Sequence, residues 1–232
     1  MVDVRLIPYA VKQRLNKKDS SDYSNLQCYE IVEAYNKAQL EWCRRQLHGG
    51  NMYQEGAEST ITRVDDLQIL LTPVEILGTN RDYYFLSNQL PPDYFRYNAI
   101  RVWASKENCS KAAVKSVLRE EANAEDLLRD RNSKPDFSWR ETFHTIMGNR
   151  IKVYTGGDFT VDRIDLVYYR LPREIRIVGC DYLGTPSPEN VDPEFNLSVV
   201  QLIIDDTASI LAGDMESINQ FQITSQRSEK NN

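Results

Sequence analysis

The residue types in this chain that are able to do chemistry are three pairs of neighbouring carboxylates, two histidines and one string of aromatics and arginines. The pairs are Asp65-Asp66, Glu120-Glu121 and Asp205-Asp206. Two acids hydrolyse a glycoside only when they converge across a cleft from opposite sides. Acids adjacent in sequence do not imply that arrangement, and solvated surface is the favoured reading of all three. His48 and His144 have no ligand neighbours at metal spacing. His48 reads as a cation at a helix end and His144 as a hairpin side chain. The string runs from Tyr168 to Arg176, with Tyr168, Arg170, Arg173 and Arg176 as the residues that would stack on bases and hold phosphates. The same pattern describes a half-buried strand leading to a sheet edge, and the strand is the favoured reading. Lys12, Arg14, Lys17 and Lys18 form a second basic cluster, suited to DNA or, better, to an acidic groove on a partner.

Nothing in the sequence supplies a Gly-rich phosphate loop, a Walker lysine, a zincin helix, a nucleophile elbow or an EF-hand loop. No catalytic residue, cofactor or metal is therefore expected. The formal charge of −6 argues against a molecule built as a whole to neutralise phosphates. The four cysteines, at 28, 43, 109 and 180, are widely spaced, and Cys28 and Cys43 lie too far apart on one helix to bridge. Reduced, buried thiols are expected. The start, Met1-Val2-Asp3-Val4-Arg5, lacks an apolar leader core, and no run approaches the ~20 apolar residues that cross a bilayer. Synthesis and folding in the cytoplasm, away from membranes, are expected.

Two long helices frame the chain. Residues 22–48 place Cys28, Ile31, Val32, Tyr35, Ala38, Trp42 and Cys43 on one face, and Glu33-Lys37 and Glu41-Arg45 pair at i,i+4 on the other. Ser21 or Asp22 is the expected cap, and Gly49-Gly50 the stop. A short helix over 5–15 is broken early by Pro8. Near the other end, Asp192 is expected to cap a helix with Pro193 in its first position. Phe195, Val199, Leu202, Ile203 and Ile210 give that helix one apolar side, and Leu197, Val200, Ile204, Ala208 and Leu211 widen the arc. A shorter polar helix over 217–227 would be anchored by Ile218 and Phe221. Between these ends, alternation predicts strands at 67–71 running up to Pro73, 100–104, 112–118 and 164–169, and a hairpin over 139–154 turning at Gly148-Asn149. Residues 83–86 suit a strand or a helix. A short edge strand at 175–178 and a helix over 120–131 complete the reading.

The resulting expectation is an α+β subunit, with a helical core from residues 1–50 and 191–232 and a β-rich elaboration over 51–190. An arc as broad as that of the last long helix calls for partners on two sides. Tyr35, Trp42, Val199, Ile203, Leu211, Ile218 and Phe221 are the candidate subunit or portal contacts.

Several blocks carry a resemblance together: Arg14-Leu15-Asn16-Lys17, YEIVEAYNKAQLEWCRRQLH over 29–48, EEANAEDLLRDR over 120–131 with Lys134-Pro135, RIKVY over 150–154, IDLVYYRLP over 164–172, and IIDDTASILAGDMESINQFQITSQR over 203–227. They resemble a virion structural protein of crAss-like and related tailed bacteriophages, the head-to-tail ring or adaptor beneath the portal. The likeness spans well over half the chain and consists of packing patterns. It implies a cyclic homo-oligomer, a dodecamer to match a portal, in the neck or tail of the virion. Its partners would be the portal protein and adjacent ring proteins, with DNA passing through without specific binding. It implies no enzyme and no cofactor. A tail-tube or tail-hub component is the nearest alternative, and a nucleic-acid-binding protein using 168–176 the next.

Overall fold

The computed structural model describes residues 2–15, 26–48, 66–107, 109–180 and 189–214. The expected cap at Ser21 or Asp22, Lys17, Lys18, the loop 51–60, Asp65 and the terminal helix with Ile218 and Phe221 lie outside them. The chain divides into two compact units, one formed by Met1–Ile69 with Pro172–Asn232, the other by Leu70–Leu171.

The second unit is an eight-stranded mixed sheet. Its strands are β1 (Leu71–Ile76), β2 (Gly78–Asn80), β3 (Tyr84–Ser87), β4 (Tyr94–Ser105), β5 (Ala112–Leu118), β6 (Glu141–Met147), β7 (Arg150–Tyr154) and β8 (Thr160–Arg170). They lie in the order β1-β8-β4-β5-β6-β7-β3-β2, antiparallel throughout except for the parallel pair β5–β6. The outermost strands, β1 and β2, are consecutive runs of one chain segment separated only by Leu77. Residues 71–76 pair with β8, and 78–80 pair with β3 on the other edge. One bent segment therefore serves both edges, and the sheet rolls toward a barrel, which shelters edge groups that would otherwise stand unpaired.

Two residues make that corner. Gly78 sits where the backbone passes from one neighbour to the other, against residues 85–87. Two residues on, the Asn80 side chain spans the seam. Its Nδ2 donates to the Val161 carbonyl at 2.8 Å, and its Oδ1 accepts from the Val161 N–H at 2.9 Å. Asn80→Ala leaves both Val161 groups without these partners. A loss of about 2 kcal/mol of barrel stability is expected, read as a lowered urea midpoint of Trp103 fluorescence.

The inner faces of the strands pool Phe85, Val102, Ile151, Val153, Ile164 and Leu166 into one core. Register irregularities along β4–β8, near Tyr94, Tyr97 and Trp103, coil this long pair around that core. The parallel β5–β6 pair requires a crossover, and residues 119–140 supply it. A 3₁₀ turn at Glu121–Asn123 leads into α3 (Ala124–Arg129). Ala124 packs there with Phe143 and Tyr154, and Leu127 and Leu128 close over them on the outside of the sheet. Glu121 anchors the crossover, accepting from Thr145 Oγ1, Lys152 Nζ and Tyr154 OH at 2.6–2.8 Å. Burial alone would raise its pKa, but these three donors hold the carboxyl below its ordinary range.

The first unit contains α1 (Ile7–Leu15), α2 (Cys28–His48) and α4 (Leu197–Asp214). Pro8 stands in the first turn of α1, where its missing N–H costs nothing, so it starts the helix rather than breaking it. Ile7, Val11 and Leu15 form the buried stripe of α1. That helix runs alongside α4 in the same direction. Asp192 Oδ1 takes the Val4 N–H at 2.9 Å near one end, and Arg14 holds Asp205 and Gln201 further along. Asp192 is thus not the helix cap. Asn196 Oδ1 takes that role, accepting from Val199 N at 2.9 Å, and Pro193 lies outside the helix. Residues 173–180 form an extended strap along α2. Asn36 exchanges two hydrogen bonds with the Ile175 backbone, and Gln39 Nε2 donates to the Arg173 carbonyl at 2.8 Å. The expected edge strand at 175–178 is this strap, with only one bridge, from Arg176 to Val191.

Two larger expectations are also overturned. The fold is strand-rich, dominated by a rolled eight-stranded sheet with its own core, and is not a helical core carrying a strand insertion. Periodicity located the helices but did not reveal that the scattered strands pair into one sheet. The cysteines also depart from expectation, because Cys28 and Cys180 form a disulfide with 5.1 Å between their Cα atoms, across 152 positions of sequence. Cys43 is buried and free, and Cys109 is exposed and free.

Candidate functional site

A serine–histidine contact lies in the barrel unit. Ser116 is on the inner face of β5 opposite Thr142, and His144 lies two residues further along the same face of β6, so the two side chains meet diagonally across the parallel pair. Ser116 Oγ is 2.7 Å from His144 Nδ1, and the Tyr97 ring packs against the imidazole with centroids 5.3 Å apart. The His144 side chain is fully buried, and its Nε2 has no hydrogen-bond partner. Burial pushes its pKa down to about 4. A general base works best with a pKa near the working pH and with a third group orienting its far nitrogen. This imidazole has neither, so the pair reads as a polar member of the barrel wall.

The carboxylate pairs are engaged individually. Asp66 accepts from Asn196 Nδ2 at 2.7 Å, Glu121 holds the crossover, Asp205 is bound by Arg14 and Asp206 by Arg45, while Glu120 is exposed. Among the described residues no group of three or more His, Cys, Asp or Glu is placed to hold a metal ion. No described helix is long and apolar enough to cross a membrane.

The aromatic-arginine string is split between the two units. Tyr168 points into the barrel, stacks on Tyr94 and donates to Asp93 Oδ1 at 2.8 Å, so its ring is not free to receive a base. Arg170 ends β8 and donates to the Leu171 carbonyl. Arg173 and Arg176 belong to the strap of the helical unit, where both are exposed. Of the second basic cluster, Arg14 is taken up by Asp205 and Gln201, and Lys12 is half-buried.

Tyr35, Trp42, Val199, Ile203 and Leu211, expected to meet a neighbouring subunit, are all buried within the single chain. Trp42 packs edge-on against Phe195, with centroids 5.3 Å apart. The broad arc of α4 is covered within the single chain.

Other large apolar side chains are exposed on both units. In the helical unit, Leu6 is exposed in the 3₁₀ turn before α1, Tyr9 on the side of α1 away from its buried stripe, and Leu197 at the start of α4. In the barrel unit, Trp139 is the most exposed of them, at 81%, and Tyr83 stands at 65%. Both belong to one end of the barrel. The Tyr83 carbonyl accepts from the N–H groups of Thr155 and Gly156, and Gly156 in turn lies against Pro135. The Trp139 turn is firmly built. Asp136 Oδ1 accepts from Ser138 N at 2.7 Å and Trp139 N at 3.1 Å, and Asp136 and Glu141 exchange two backbone hydrogen bonds. Arg140 adopts the left-handed region at φ 55°, held by bonds from its N–H to Phe137 O and from Lys115 N to its carbonyl. Asp158 accepts from Phe137 N at 2.9 Å and also holds Lys106. The sequence reading placed Trp139 in a strand. The available signal was Asp136 two residues before Ser138, a pattern that favours a side-chain-capped turn.

No protein-family model matches this chain, and no curated protein matches it in sequence.

Proposed function

We propose that the chain is a structural subunit of a bacteriophage head-to-tail connector ring, placed below the portal and forming part of the DNA conduit. The observation that carries this reading is that the most exposed large apolar side chains of the described residues are divided between the two units: Leu6, Tyr9 and Leu197 on one, Trp139, Tyr83 and Leu77 on the other. A cyclic ring is built from heterologous contacts, in which each subunit contributes two different surfaces. Exposed aromatics on a rigid turn are the kind of side chain that dominates such contacts. The blocks that resemble crAss-like neck proteins point the same way. The barrel interior is filled by Phe85, Val153, Ile164 and their neighbours, so DNA would pass through the lumen between subunits and not through a barrel.

The test is the mass and shape of the purified chain, alone and with portal protein, by light scattering and negative-stain electron microscopy. Closed rings, or ring formation on the portal, are expected. A chain that stays monomeric up to high micromolar concentration and ignores the portal overturns the proposal.

A further inference from the structure

We infer that the Cys28–Cys180 disulfide is a redox clasp, opened and closed in the folded protein by thiol–disulfide exchange, that fastens the strap 173–180 to the first turn of α2. Cys28 opens α2, and the strap runs back along that helix. The contacts come in order: Arg173 at Gln39, Ile175 at Asn36 and Cys180 at Cys28. The far end of the strap is shaped for closure before any bond forms. Cys180 N donates to the Ile177 carbonyl at 3.1 Å, with Gly179 at φ 84° in the third position of the turn. That position of a type II turn requires a positive φ, which glycine adopts without strain. The turn carries the Cys180 sulfur back toward the helix.

The other two thiols leave the pairing unique. Cys43 is fully buried, and burial together with the Glu194 carboxylate pushes its pKa up to about 12, so it presents almost no thiolate at neutral pH. Cys109 belongs to the other unit. Cys28 and Cys180 are both partly exposed, which is where exchange needs them. Closing uses a small-molecule disulfide such as oxidised glutathione. One cysteine thiolate attacks it, forming a mixed disulfide and releasing one glutathione. The second cysteine then attacks the protein sulfur of that mixed disulfide, forms the Cys28–Cys180 bond and releases the second glutathione. Two electrons pass from the cysteine pair to the glutathione disulfide, and opening is the reverse. The closed bond spans most of the chain and includes the whole barrel unit within its loop, the case in which a cross-link restricts the unfolded chain most. The clasp lies within one copy of the chain, so its test is independent of ring formation.

The test incubates the full, folded chain in glutathione buffers from oxidising to reducing, stops exchange with acid, labels every free thiol with N-ethylmaleimide in denaturant so that buried Cys43 also reacts, and counts modified cysteines by mass. Two modified cysteines are expected in oxidising buffer and four in reducing buffer, reversibly and with unchanged far-ultraviolet circular dichroism. Peptide mapping should join 28 to 180. Reduction should lower the Trp42 unfolding temperature by about 10 °C, and Cys28→Ser should be insensitive to the buffer. Four modified cysteines under all conditions, a bond to Cys43 or Cys109, or a bond that yields only after denaturation would each overturn the inference.

Discussion

Replacing Gly78 with alanine is expected to cost the barrel unit about 3 kcal/mol or more, or to prevent it from folding. A Cβ at this position would overlap the Leu86 carbonyl oxygen and lie 2.6 Å from the Phe85 ring and 2.7 Å from Ser87 Cα. Two of these three neighbours are backbone, and that backbone is paired to β2 on one side and β7 on the other. The clash therefore cannot be relieved by a rotamer change. Overpacking a core typically costs 1–3 kcal/mol when neighbours are able to shift, and here the shift would break the seam that Asn80 closes. Gly148→Ala is the control. Gly148 has φ 57° but nothing within 4 Å of an added Cβ, so only conformational strain of about 1 kcal/mol is expected. Urea unfolding followed at Trp103 reads both variants. Equal effects from the two would mean that the corner at Gly78 is not tightly packed.

Lowering the pH from 7 to 4 should remove about 3 kcal/mol of barrel stability through His144 alone. In the folded barrel its pKa is about 4, pushed down from 6.5 by burial beside Ser116 and Tyr97. The unfolded chain therefore takes up this proton first as pH falls. The stabilising preference for the neutral ring is complete above pH 6.5, declines between 6.5 and about 4, and levels off below. The slope approaches 1.4 kcal/mol per pH unit. The carboxylates of Glu121 and Asp158 are both held below their ordinary range despite burial, which alone would raise them. Lys152, Thr145 and Tyr154 outweigh it for Glu121, and Lys106 and the Phe137 N–H for Asp158. They add their own losses only below about pH 4.5. His144→Gln should flatten the upper part of the profile. A barrel midpoint that is level from pH 6.5 to 5 in the unaltered protein would refute the assignment.

The parts of this molecule legible in sequence are those set by neighbours in sequence. The 3.6-residue spacing of Ile31, Tyr35, Ala38 and Trp42 marks the buried face of α2, and all four are buried. Gly148-Asn149 between two alternating runs marks the β6–β7 turn, which the structure contains. Asp192-Pro193 misled because a cap signal is local, whereas Asp192 finds its partner at Val4, 188 positions away. By periodicity alone, the surplus apolar arc of α4 points to other subunits. Its cover instead comes from the chain itself, including Ile7, Val11 and Leu15 of α1.

What the sequence determined by itself was the two long helices and most of the strands, because their periods are written in the order of apolar residues; the alternation of Leu67, Ile69 and Leu71 misled, since residues 68–70 form a 3₁₀ turn and the strand begins at Leu71. Only the tertiary structure decided that one bent segment would serve both edges of the sheet, that Ser116 and His144 would meet, and that Cys28 would reach Cys180. Each of these depends on groups brought together over long sequence separations by the packing of a shared core, and periodicity contains no information about distance in space.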